Sequence, residues 1–248
     1  MKLLTLIKLE FYKQKKGWLW LFLLIIPAGT TLAMFLDFTI RYDYLYQNAL
    51  HEGYTSWDVL LIENHRVLGW GMFLPMFIGI IYALLYQVEE GQSNWKQYLS
   101  LPVRKESVYL SKFLAGFLFS FLLIMFNMLG LIFVGFVIGF PEAVEWGSYG
   151  RYAANQAVMI LAVASLHNWL SSYFKNNIIP IVIGFAGVIV SSMVIFMLPK
   201  VSKFFPYALP FYTDGLFENS SELIPSSLLL MLVFVIGGLW HFNQKDVL

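Results

Sequence analysis

The stretch 113–139, FLAGFLFSFLLIMFNMLGLIFVGFVIG, runs for 27 residues without Asp, Glu, Lys or Arg. About 20 helical residues suffice to cross a hydrocarbon layer of roughly 30 Å. Because lipid offers the backbone no hydrogen-bond partners, only helices or closed barrels can span it. Barrel strands read as alternating segments of about ten residues, whereas this block is continuous, so it is a helix. At 27 residues it exceeds the hydrocarbon and is expected to tilt or to project beyond it.

Working outward, five more uncharged stretches reach spanning length: 18–37, with Asp37 marking its end, 67–86, 153–172, 177–198 and 223–242. The run from Trp18 to Leu36 is too long for the apolar region of a secretory signal, so it is read as a retained first span. The expectation is an all-α polytopic membrane protein with six transmembrane helices in a single transmembrane domain, 1–248. The four-residue link 173–176 predicts antiparallel neighbours on either side of it. Bulk composition agrees, with 59% apolar and 12% charged residues, and leaves no room for a separate soluble catalytic domain. A net charge of +1 gives no basic excess for nucleic acid, and the absence of Cys excludes disulfides and thiolate metal sites.

Charge distribution sets the orientation. Sorted by alternate sides of the six spans, one side holds 11 Lys and Arg and 5 acids, the other 5 Lys and Arg and 10 acids. The positive-inside rule then places both termini in the cytoplasm. Residues 1–16 put Leu3, Leu4, Ile7 and Phe11 on one stripe, which suits an amphipathic helix lying in the cytoplasmic interface before the chain turns inward at Gly17–Trp18. Outside lie two long segments, 38–66 and 199–222, whose many aromatic residues are expected to anchor at the headgroup level.

The cytoplasmic segment 87–112 carries the clearest functional signal. Glu89-Glu90-Gly91 opens it, Trp95, Tyr98 and Leu99 recur at helical spacing, Pro102 breaks the run, and Arg104-Lys105 lead into the next span. A short helix with an aromatic face can dock on a soluble partner or lie on lipid, and physics alone leaves the two even.

No G-x-x-x-x-G-K-[ST] or H-E-x-x-H occurs, and His51, His65, His167 and His241 are scattered without ligand spacing. Neither an intramembrane enzyme nor a metal site is expected. Among polar residues within spans, Asn127, Asn155, Gln156 and His167 are candidates for a substrate path, against interhelical hydrogen bonding as the ordinary role. The central parts of the spans lack Asp, Glu, Lys and Arg, which weighs against an ion-coupled secondary transporter. Gly135 and Gly139 form a GxxxG step, and Pro27, Pro75, Pro180 and Pro225 are candidate kinks.

A basic amphipathic start, Glu89-Glu90-Gly91 at the end of the second span, Leu101-Pro102-Val103-Arg104 after a cytoplasmic helix, and Lys112 at the start of the third span together resemble the permease subunits of ABC-2 type ABC transporters. Length and the Trp-rich N-terminal half look most like bacterial lantibiotic-immunity and bacteriocin-export permeases. The resemblance implies a dimer with a second permease copy or related permease, bound to two copies of a soluble P-loop ATPase that holds ATP and Mg, with no cofactor on this chain. Glu89, Glu90, Gly91, Trp95, Tyr98 and Leu99 would form the ATPase-facing coupling helix, flanked by Arg104 and Lys105. The expected function is export of an amphipathic antimicrobial peptide across the bacterial plasma membrane. Export of another hydrophobic compound, a non-transporting scaffold or sensor, and a secondary transporter are the alternatives.

Overall fold

A computed structural model of the chain describes residues 2–90, 103–213 and 222–244, without the side chains of 48–50, 52 and 90. Among these residues every regular element is helical. α1 (Leu3–Lys13) passes through a 3₁₀ turn and Gly17 into α2 (Trp18–Glu52). α3 (Ser56–Ile62) and a π-helical turn (Glu63–Val67) lead to α4 (Trp70–Glu90). α5 (Lys105–Ile138), α6 (Trp146–Tyr173), α7 (Ile178–Met197), the single turn α8 (Pro199–Ser202), a 3₁₀ helix (Pro206–Tyr212) and α9 (Ile224–Gln244) complete the order.

Among the described residues five helices are long and apolar enough to cross a membrane: Trp18–Gln47, Trp70–Glu89, Lys105–Ile138, Ile178–Met197 and Ile224–Gln244. The remaining stretch expected to span, 153–172, lies within α6, whose 28 residues are ample in length. Its polarity sets it apart, because α6 is the interior helix. It packs against α9, α4, α5 and the 206–212 segment and buries Gln156, Ser165, His167, Asn168, Ser171 and Ser172. A helix surrounded by protein does not need an apolar face toward lipid.

Several expectations change. Segment 38–66 is largely helical rather than an open loop, since α2 continues to Glu52 and α3 follows. Thr55 and Asp58 start α3 with a reciprocal capping box. Some aromatic residues of segments 38–66 and 199–222 belong to the core rather than to a headgroup belt. Trp57 is buried, donates from Nε1 to the Glu142 carbonyl at 3.0 Å, and packs edge-on against Phe136, Phe140 and Tyr149. Tyr207 and Leu209 are buried as well, while Tyr44 and Phe204 stay exposed.

The GxxxG step is no helix-packing face. Gly135 receives the Trp57 ring, and Gly139 ends α5 in the left-handed region at φ 82°, where a residue without Cβ is favoured. Pro180 and Pro225 fall in the first turns of α7 and α9, where a missing N–H breaks no hydrogen bond, leaving Pro27 and Pro75 as the interior prolines. Beyond their short link α7 touches α6 only slightly and packs on α4. The 206–212 segment comes between them, with Tyr207 seated against Gly187.

Candidate functional site

α1, the C-terminal end of α4 and the beginning of α5 converge at one end of the bundle. α9 ends there too, because Lys105 donates to the Asn243 carbonyl, Asn243 donates to Glu106, and Tyr109 lies against Phe242. The N-terminal helix, both flanks of the 87–112 segment and the C-terminal helix therefore share a face of the protein.

At the centre of that end is a closed ring of four charges. The Lys112 ammonium lies 2.9 Å from Glu10 Oε2 and 2.8 Å from Glu89 Oε2. Lys13 lies 2.8 Å from Glu10 Oε1 and 2.7 Å from Glu89 Oε1. Each lysine bridges both glutamates, so every carboxylate oxygen has a cation. Lys112 donates its third proton to the Leu85 carbonyl at 3.2 Å, which satisfies all three donors of a fully buried ammonium. It also sits 4.8 Å from the centre of the Tyr86 ring. Burial by itself would raise the Glu10 carboxyl, but Lys112 and Lys13 outweigh it and hold the group below its ordinary value.

The α1 stripe expected from sequence is displaced by this ring. Leu6, Glu10 and Gln14, spaced four apart, form the buried face, and Leu4 is exposed. Leu6 joins Val108, Tyr109 and Phe242 in a small apolar cluster beside the ring. From there contacts run inward. Tyr86 donates to Asn168 Oδ1 of α6 at 3.1 Å, and Tyr82, seated against Gly116, donates to the Phe113 carbonyl at 2.7 Å.

Three further polar clusters and an ion-pair fork lie away from that end. Asn127 donates to Thr30 Oγ1 at 2.8 Å and exchanges hydrogen bonds with Asn64. His65 Nδ1 lies 3.0 Å from the Tyr152 hydroxyl and its Nε2 2.8 Å from the Phe211 carbonyl. Gln156 donates to Thr213 Oγ1 at 2.6 Å and to the Pro210 carbonyl at 3.3 Å. His167 Nε2 pairs with the Tyr207 hydroxyl at 2.9 Å, its ring wedged between Gly79 and Gly184. Arg41 adds a fork to Asp37 at 2.7 Å on both oxygens and reaches Glu63 at 2.9 Å, tying α2 to the turn after α3. Burial raises the Glu63 carboxyl, and Arg41 offsets this only in part.

The family model of the ABC-2 family transporter proteins matches residues 6–191. The chain belongs to that family. Among curated proteins none matches the chain. An ABC-2 family transporter protein is a membrane transport component and not itself a catalyst.

In this ABC-2 family member the residues expected to face an ATPase divide into three groups. Gly91, Trp95, Tyr98 and Leu99 lie outside the described residues, as does the Glu90 side chain. Arg104 is exposed at the start of α5, and Lys105 is bound to Asn243. Glu89 is turned inward to Lys112 and Lys13. Of the candidate path residues, Asn127, Gln156 and His167 are buried and hydrogen-bonded within the chain, and Asn155 is half-buried. The ring itself was missed in sequence, because no spacing rule links positions 10, 89 and 112. The only hint was Glu10, a lone acid among five lysines four residues after Leu6.

Proposed function

We propose that this chain is the permease subunit of an ATP-driven exporter of the bacterial plasma membrane, with six spans and both termini cytoplasmic. Its cargo is an amphipathic antimicrobial peptide of the lantibiotic kind, moved outward for self-immunity or secretion. Two soluble P-loop ATPase subunits, which bind ATP and Mg, dock on the segment 92–100, and a second permease copy or a related permease completes the path.

The observation that carries this reading is the position of Glu89 and Lys112. They flank the docking segment on either side and are bonded to each other and to α1. A push on that segment is delivered to α1, α4 and α5 together, since removing any one partner leaves an uncompensated buried charge. Tyr86 and Asn168 pass the displacement to α6, the helix that holds Gln156 and His167. For cargo to pass, the bonds of Asn127, Gln156 and His167 to the external segments must open, so these residues close the outer end of the path at rest.

The test is co-expression with a P-loop ATPase encoded beside this chain, followed by affinity purification and ATP-driven peptide uptake into inside-out vesicles. A stable complex with uptake that falls severalfold in Trp95→Ala supports the reading. Absence of any ATPase complex removes it in favour of a scaffold or an ion-driven transporter. Uptake of a hydrophobic drug or lipid with no peptide uptake would keep the exporter and replace its cargo.

A further inference from the structure

We infer that the outer face of α1 binds the headgroup of an anionic phospholipid in the cytoplasmic leaflet. The helix has two unlike faces. Glu10 and Lys13 turn inward to the ring, whereas Lys8, Phe11, Tyr12 and Lys15 lie on the far side with Leu4. Together with Trp20 from the first turn of α2, the four residues line an open cleft of about 500 Å³.

Charge and shape select the occupant. Lys8 on α1 and Lys15 in the 3₁₀ turn after it are both exposed and lie roughly 10 Å apart along the chain's helical path. Among the described residues no carboxylate pairs with either of them, because Glu10, the sole acid of α1, is committed to Lys13 and Lys112. Two ammonium groups with no counter-ion among the described residues, bordering one cleft, call for an anion. The cleft wall calls for more than a soluble one. Phe11 stacks on Phe119 at 4.2 Å between ring centres, and Trp20 meets Phe119 edge-on at 5.5 Å, which fixes an aromatic surface directly beneath the lysines. Tyr12 and Leu4 are each 72% exposed on the same face. A free phosphate would leave this apolar surface in water, whereas a phospholipid covers it with glycerol and acyl chain while its phosphate meets the lysines. The level is also right, since Trp20 is the third residue of a membrane-crossing helix whose start abuts α1.

The experiment equilibrates the full chain in detergent with equal amounts of phosphatidylcholine and phosphatidylglycerol and quantifies the phospholipid retained after gel filtration. Wild type is expected to retain phosphatidylglycerol preferentially. Lys8→Ala with Lys15→Ala should lower that preference by roughly tenfold, Lys8→Arg with Lys15→Arg should keep it, and Lys2→Ala with Lys16→Ala should leave it nearly unchanged. Both target lysines are exposed and outside the ring, and a thermal-unfolding midpoint unchanged in the Ala pair verifies that the fold is intact. Equal retention of the two lipids by wild type, or full preference in the Lys8→Ala/Lys15→Ala protein, overturns the inference. So does displacement of phosphatidylglycerol by millimolar inorganic phosphate, which would mark a small-anion site.

Discussion

Glu89 Oε2 and Lys112 Nζ, 2.8 Å apart, belong to different helices and flank the segment 91–102. Lys112 is equally committed to Glu10. Replacing it by Met leaves two buried carboxylates sharing Lys13 alone, a loss expected to cost about 3–5 kcal/mol of stability. Adding Glu89→Leu leaves the neutral pair Glu10–Lys13 and should recover most of that loss. Thermal or denaturant unfolding of the four proteins of this cycle gives the coupling directly. Arg41→Met at the half-exposed fork to Asp37 and Glu63 should cost only about 1 kcal/mol or less.

The same cycle separates structure from transmission. If the ring conveys motion from the docking segment, the Glu89→Leu/Lys112→Met protein should fold and still bind its ATPase, while transport per ATP hydrolysed falls severalfold. Equal coupling ratios in the double variant and wild type would reduce the ring to a structural element.

The pH dependence has a definite sign. Glu10 titrates below its ordinary value in the folded protein, so its contribution is present above the unfolded value, about 4.5, and is lost as pH falls through the lower folded value. Docking of α1 should therefore be flat from pH 7 to about 5 and weaken only below about 4.5. Limited proteolysis between α1 and α2, followed across that range, checks this.

Packing around His167 gives a contrast between two glycines. A Cβ at Gly79 would stand 2.6 Å from the buried ring, whereas one at Gly29 meets nothing within 4 Å. Gly79→Ala should destabilise by about 1–3 kcal/mol through overpacking, and Gly29→Ala should be near neutral. Unfolding midpoints in detergent decide it, and Gly79→Ala combined with His167→Ala should recover part of the loss. Tyr207→Phe removes one hydrogen bond and should cost only about 0.6 kcal/mol.

The Asn127 cluster offers a test of the turn 63–67. Asn127→Leu strips Thr30 and Asn64 of their shared partner and should cost about 1–2 kcal/mol. It should also loosen the turn 63–67, seen as faster amide exchange at Asn64 and His65 with little change in α6.

The membrane helices were legible in sequence where lipid dictates composition: α2, α4, α5, α7 and α9 each contain one expected span. The segments 38–66 and 199–222 were hidden for a related reason. Trp57 and Tyr207 have the composition of headgroup anchors, and only the glycine each ring meets, Gly135 and Gly187, distant in sequence, reveals that they are core. Within the site, composition showed which residues carry charge and on which side. It could not show that Glu10 and Glu89 meet over Lys112, because that contact joins residues 102 and 23 positions apart through tertiary packing.

The ring holds two lysines and two glutamates and so carries no net charge. Carrying one elementary charge through a membrane potential takes about 2.3 kcal/mol per 100 mV, but a neutral set moving as a body does no electrical work. A de-energised cell and a fully polarised one would thus hold the ring equally firmly. The voltage can neither trip this ring nor brace it.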